Sequence, residues 1–148
     1  MEHPICLFVD IDGTLAKYPD PMPMTDEEWD TYFATAEVNQ EVVNYVKELQ
    51  TIANHSYILT ARNVDYWDLT MRWVSQTGLH FDGFIMRGRG DAETPASVMK
   101  YRVLKSYAED HPDSKLILID DNDVTRFAAH LLGVNTVDPR TLDKEDDD

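Results

Sequence analysis

The stretch LFVDIDGTLAKY, residues 7–18, ends an apolar run on two carboxylates, Asp10 and Asp12, one isoleucine apart and followed at once by Gly13 and Thr14. On an extended backbone, side chains two positions apart leave the same side. Like charges so close repel, and at low effective dielectric the cost is several kcal/mol unless a cation intervenes or one carboxyl is protonated. A second acidic pair, Asp120 and Asp121, ends another apolar run, KLILI at 115–119. Hard oxygen ligands without a His or Cys cluster favour Mg²⁺ over Zn²⁺. The five histidines, at 3, 55, 80, 111 and 130, are scattered without metal spacing. Gly13 permits a sharp turn whose backbone N–H groups can approach an anion, and Thr14 can donate or accept there. Thr60 closes a third apolar run with a hydroxyl. Lys100 shares a helical stripe with Ala96, Val103, Leu104 and Tyr107, so its ammonium either serves a site or snorkels to the surface. Carboxylates, a hard metal, a hydroxyl and an ammonium together suit phosphoryl transfer, in which an aspartate attacks phosphorus while cations neutralise the oxygens.

The elements that must position these groups follow from hydrophobic patterning. ICLFV (5–9), SYILT (56–60), GFIM (83–86), KLILI (115–119) and VNTV (134–137) are short apolar runs, as expected of strands buried on both faces. Between them lie helical patterns. Thr25-Asp-Glu-Glu28 reads as a capping box opening a helix whose apolar face is Trp29, Tyr32, Phe33 and Ala36. Val42, Val43, Val46 and Leu49 mark a second helix, and Trp67, Met71 and Val74 a stripe on a third over 65–77. Thr94-Pro95 opens a fourth running to about Glu109, and residues 124–132 form a fifth closed by Gly133. Alternating strand and helix predicts an α/β fold: a doubly wound, Rossmann-like parallel sheet with helices on both faces. In such sheets ligands bind beyond the carboxyl ends of the strands, where Asp10/Asp12, Thr60 and Asp120/Asp121 all fall.

At 148 residues, 43% hydrophobic and 10% aromatic, the chain suits one globular domain. The net charge of −15 argues against broad, non-specific duplex binding, which needs phosphate neutralisation by Lys and Arg. No apolar run is long enough to span a membrane, residues 1–9 carry no basic leader pattern, and the single cysteine, Cys6, falls inside a strand. A cytoplasmic protein with no membrane association and no obligatory protein partner is the expectation. The domain is expected over residues 5–138, with 139–148, ending in DKEDDD, as an acidic, disordered tail.

DIDGTL (10–15), LTAR (59–62), Lys100 and IDD (119–121) resemble, in order and spacing, the four motifs of the haloacid dehalogenase superfamily of phosphatases. The resemblance implies Asp10 as nucleophile and Asp12 as the acid that protonates the leaving oxygen and later takes a proton from water. It implies Thr60 and Lys100 as holders of the phosphoryl oxygens, with Mg²⁺ bound by Asp10, Asp120, Asp121 and the backbone carbonyl of Asp12. More narrowly, LTARN, TMRWV, MRGRGD and LIDDNDVTRFAAHLLGV are similar to the 3′-phosphatase domain of bacteriophage polynucleotide kinase. That similarity adds Arg62 and Asp91 to the site, with Arg87 and Arg89 flanking its mouth as contacts to phosphate or base. It implies a nucleotide or nucleic-acid 3′-end as substrate. Where that family carries an arginine after the first motif, residues 16–23, AKYPDPMP, offer only Lys17, and no GxxxxGK[ST] phosphate loop occurs. Alternatives are a small-nucleotide 5′-phosphatase and a non-catalytic phosphoacceptor of the receiver type, though Asp12 supplies a built-in acid/base that disfavours a stable acceptor.

Overall fold

The computed structural model describes residues 3–144. Five strands, β1 (Ile5–Val9), β2 (His55–Asn63), β3 (Gly83–Arg87), β4 (Lys115–Ile119) and β5 (Asn135–Val137), form one sheet in the order β3-β2-β1-β4-β5. Every pairing is parallel. The chain order reverses between β1 and β4, the point at which a doubly wound sheet opens a crevice beyond its carboxyl ends.

Because side chains alternate along a strand, β1 feeds two cores. Leu7 and Val9 enter one cluster with Val42, Val43 and Val46 of α2 (Gln40–Gln50) and Trp73 and Val74 of α3 (Trp67–Ser75). Cys6 and Phe8 enter the other, with Met99 and Leu104 of α4 (Ala96–Asp110) and Ala129 of α5 (Asp123–Leu131). Helices therefore cover both faces, as the patterning predicts. The remaining helix, α1 (Asp26–Thr35), begins at the expected capping box: the Glu28 N–H donates to the Thr25 hydroxyl at 3.1 Å, and that hydroxyl donates back to Glu28 Oε1 at 3.3 Å.

Several boundaries differ from expectation, each for a tertiary reason. Strand β2 runs past Thr60 to Asn63, its register against β3 shifting between Leu59 and Asn63, and this overrun carries Arg62 inward. In α3 the buried face is Thr70, Trp73 and Val74, while Trp67 and Met71 of the expected stripe stand about 40% exposed. Trp73 displaces them because its indole N–H donates to the Ala36 carbonyl at 2.8 Å, which ties α3 to the end of α1. Helix α4 starts after Pro95, with no side-chain cap from Thr94. Residues 139–144, assigned to the tail by composition, instead form a 3₁₀ helix, and Leu142 packs partly against the first core. The rest of the expected tail, 145–148, lies outside the described residues. Among the described residues no helix is long and apolar enough to cross a membrane.

Candidate active site

Strand β1 stops at Val9, and the chain turns sharply where the Thr14 and Ala16 N–H groups both donate to the Ile11 carbonyl. Gly13 makes this turn possible. Its φ is +83°, and a Cβ there would lie 2.5 Å from Asp121 Oδ2. Any side chain at position 13 would thus collide with the acidic loop of β4.

The ladder to β4 continues as far as the Asp10 N–H, which donates to the Ile119 carbonyl at 3.0 Å, and Asp10 and Asp12 both line one cleft with different partners. Asp10 faces Asp120 and Asp121 from the neighbouring strand tip, and one carboxylate oxygen from each of the three lies within 4.8 Å of the others. Between them stands Lys100, whose Nζ donates to Asp10 Oδ1 at 2.9 Å and Asp120 Oδ2 at 2.7 Å with only 5% of its side chain exposed. Thr14 donates to the other Asp10 oxygen at 3.3 Å. Burial pushes the Asp10 carboxyl well above the ordinary range, Lys100 opposing the shift and Asp120 adding to it. Burial alone would lower Lys100, but Asp10 and Asp120 outweigh it and hold the ammonium above its usual range. Both shifts are upward, so across one contact burial favours a neutral Asp10 while the facing carboxylates favour a charged Lys100. Lys100 is charged, since two carboxylate oxygens meet its Nζ. Asp10 is raised chiefly by its burial, with the Asp120 and Asp12 charges adding to the shift and Lys100 opposing it.

The local charge balance is the test of fit for a metal. Three carboxylates against one ammonium leave an excess of acidic oxygens, two of the acids buried and Asp121 half-buried, and such a hard, all-oxygen set fits a divalent cation such as Mg²⁺. Asp10, Asp120 and Asp121 would hold it.

Asp12 is engaged elsewhere. Arg62, its side chain 1% exposed, donates through Nε to Asp12 Oδ2 at 3.0 Å and through Nη2 to Oδ1 at 2.7 Å, a planar fork matched to a carboxylate. The guanidinium also lies 4.3 Å above the Phe33 ring and donates to the Thr70 hydroxyl at 3.3 Å. Arg62 is thus aimed by α1 and α3 together. Thr60 is fully buried one strand over, its hydroxyl accepting from the Arg62 N–H at 3.1 Å.

A cleft of about 250 Å³ opens on these groups, with Asp10, Asp12, Arg62, Lys100, Asp120 and Asp121 in its walls. The other expected residues lie outside that lining. Arg87 spends its donors on the carbonyls of Ala61, Asp91 and Thr94, bracing the loop between β3 and α4. Arg89 is largely exposed and pairs with Asp65. Asp91 accepts from the Thr94 hydroxyl at 3.4 Å within the same loop.

The cleft also contains residues that sequence reading did not assign to it. Tyr18 reaches over Gly13 to lie beside Asp121, and burial together with that neighbour pushes its phenol above the usual range. Trp29, Tyr32 and Phe33, expected as a helix face, form one wall. Behind the acidic pair, Arg126 donates to the Asp120 carbonyl at 2.9 Å and to Asp123, and Arg140 bridges Asp123 and Asp138 at 2.8 Å each. The pairs Arg126–Asp123 and Arg140–Asp138 are local in sequence, but the links Arg140–Asp123 and Arg126–Asp138 that join them into one network need the fold to bring α5 and the segment after β5 together.

Residues 4–138 match the model of the polynucleotide kinase PNKP phosphatase domain, a haloacid dehalogenase family. No curated protein sequence matches the chain. A chain in the structure of the Pnkp1/Rnl/Hen1 RNA repair complex superposes with a TM-score of 0.75 at 17% identity, over 92% of this chain and 42% of that one. The present chain therefore spans less than half of that relative's length. A haloacid dehalogenase-like hydrolase from Streptococcus pneumoniae, SP0104, gives a TM-score of 0.61 at 15% identity, over 90% and 83% of the two chains. The Bacteroides thetaiotaomicron enzyme BT-2542, in complex with magnesium and inorganic phosphate, gives 0.56 at 12% identity, over 91% and 93%. These likenesses are of fold.

Proposed function

Because the chain belongs to the family of the polynucleotide kinase PNKP phosphatase domain, and so to the haloacid dehalogenase phosphatases, we propose that it is a Mg²⁺-dependent phosphomonoesterase acting on nucleotide or nucleic-acid 3′-phosphates through an aspartyl phosphate. The observation that carries this reading is the convergence of the Asp10, Asp120 and Asp121 carboxylates, the first two paired with one buried lysine. Mg²⁺ at those three residues supplies positive charge against the phosphoryl oxygens. Asp10 attacks phosphorus, the bond to the leaving oxygen breaks, and Asp12 gives that oxygen its proton. Asp12 then takes a proton from the water that displaces Asp10 from phosphorus. Lys100 offsets charge on the transferring group, and Thr60 and Thr14 offer hydroxyls beside it, the latter steadying Asp10. For Asp12 to deliver its proton, the Arg62 fork that now occupies both its oxygens must slacken, and a substrate phosphoryl group competing for the guanidinium would do that.

The family model, that of a polynucleotide kinase phosphatase domain, supports a nucleic-acid end or nucleotide as substrate, and the 3′ position is carried by the sequence resemblance of Arg62 and the MRGRGD stretch. A 5′-phosphatase acting on small nucleotides is favoured by one feature, the presence of Tyr18 and no arginine in residues 16–23 at the cleft mouth. Phosphate release from 3′- and 5′-phosphorylated mononucleotides and oligonucleotides, with and without Mg²⁺, decides between them. Asp10→Asn is expected to lower kcat on the preferred substrate by about 10³-fold or more. Turnover unaffected by that substitution, or by EDTA, overturns the reading.

A further inference from the structure

A second cavity, of about 700 Å³, lies between the loop at 17–23 and α1, and it shares Tyr18 and Tyr32 with the catalytic cleft. It is within the size range of small-molecule sites, whereas the catalytic cleft alone, at about 250 Å³, falls below that range. The shared tyrosines tie the two spaces to the reacting groups: Tyr18 lies over Gly13 beside Asp121, and Tyr32 donates to the Lys17 carbonyl at 3.1 Å and lines the cleft with Asp12. A phosphoester whose phosphorus sits at Asp10 has this cavity on the side of Asp12, the residue proposed to protonate the leaving oxygen. The leaving group is the part of the substrate that such a space would take.

Its chemistry is one-sided. Glu27, Glu28 and Glu37 line it, and the one lysine in its wall, Lys17, is already engaged with Glu37 at 2.5 Å. The hydroxyl protons of Thr31 and Thr35 are committed to helix carbonyls, so both present only lone pairs to the cavity. Tyr18, Tyr32 and three prolines add flat apolar surface. Acceptors, negative charge and rings suit a planar, uncharged group bearing N–H and O–H donors, and repel a phosphodiester.

Resting on the phosphatase reading, we propose that this cavity is the leaving-group site and that it takes a single nucleoside, so that the substrate is a nucleoside monophosphate rather than the end of a polynucleotide. The test compares kcat/KM for a nucleoside 3′-monophosphate and a 3′-phosphorylated hexanucleotide at low ionic strength, where charge repulsion is least screened. The wild type should prefer the mononucleotide. Glu27→Gln and Glu27→Lys, both at an exposed helix position, should shift the ratio stepwise toward the hexanucleotide, by roughly tenfold for the charge reversal. Melting curves check that each variant is folded. Equal use of both substrates by the wild type, or a ratio unmoved by either variant, overturns the proposal. Failure of the wild type to release phosphate even from p-nitrophenyl phosphate with Mg²⁺ would instead overturn the phosphatase reading beneath it.

Discussion

Lys100 and Cys6 are both enclosed by the core, and the enclosure acts on them in opposite ways. Lys100 is held charged between Asp10 and Asp120, so removing its ammonium leaves buried acids with no counter-charge. Lys100→Met keeps the length and the apolar stem. It is expected to destabilise the metal-free protein by about 3–5 kcal/mol, the usual result of breaking one side of a buried pair. Urea unfolding in EDTA measures that loss, and added Mg²⁺ should recover part of it, since a divalent cation at the acids replaces the missing charge. A variant as stable as the wild type in EDTA would mean that the acids are not jointly charged. Cys6 is the reverse case, a neutral group kept neutral. Burial pushes its thiol from 9.0 up to about 11, the hydrogen bond with Tyr107 opposing the shift. A raised value means the fold binds that proton more tightly than the unfolded chain. The stabilisation is therefore complete below about pH 9 and is lost as pH rises toward about 11. Tyr57 and Tyr107 are shifted upward by the same burial, so the Cys6 share is the difference between wild type and Cys6→Ala. The wild type should lose urea resistance more steeply over that interval. Parallel slopes would remove Cys6 from the account.

At the scale of elements, the acidic loop after β4 is aimed from behind. Asn122 caps α5 by accepting from the Thr125 N–H at 2.9 Å, and Asp120 accepts from the Asn122 N–H at 2.9 Å, so loop and helix begin as one unit. Arg126 then fastens the Asp120 carbonyl from the next turn, and Asp138 and Arg140 extend that brace to the segment after β5. Arg126→Ala touches neither the cleft nor the proposed nucleophile. It is expected to raise the Mg²⁺ concentration for half-maximal activity by about 10-fold, the scale seen when supports behind metal ligands are removed, with a smaller change in kcat at saturating Mg²⁺. A Mg²⁺ titration of activity measures this, and an unchanged midpoint would show the brace to be idle. The strand and helix order was legible in the sequence because each element announces itself locally: the apolar runs of β1 and β4 and the capping box at Thr25 each need only a few adjacent residues. The four acidic and basic motifs were legible for the same reason, their types and order being linear facts. The Arg126–Asp138–Arg140 brace was hidden, and so were the inward turn of Arg62, the bracing role of Arg87 and the true face of α3. Arg62 and Trp73 depend on partners dozens of residues away, at Asp12 and Ala36. Even where the partner is near, as for Arg87 and Arg140, an arginine carries no mark of whether its fork meets a substrate, a carboxylate or a carbonyl.

Across the whole molecule, charge is distributed against the chemistry expected of a nucleic-acid enzyme. The chain carries a formal charge of −15. Among the basic side chains near the cleft, Arg62 is bound to Asp12, Lys100 to Asp10 and Asp120, Arg87 to carbonyls and Arg89 to Asp65. A surface of this kind repels itself as well as polyanions. Self-repulsion acts over the screening length, about 30 Å at 0.01 M salt and about 10 Å at 0.1 M, so salt should relieve it in the folded state more than in the expanded chain. The melting temperature in EDTA is expected to rise by roughly 3–8 °C between those two NaCl concentrations, the shift that about 1–2 kcal/mol produces in a domain of this size. EDTA keeps divalent binding at Asp10, Asp120 and Asp121 from contributing. The same salt series on kcat/KM separates the two kinds of substrate. Hydrolysis of a hexanucleotide should improve as screening increases, because the charges of protein and substrate have the same sign, while a mononucleotide with its single phosphoryl group should respond less. A melting temperature that falls with salt would mean that local ion pairs, not the net charge, dominate the surface. Hexanucleotide turnover that falls with salt would mean that the substrate meets a positive path on a molecule whose overall charge is negative.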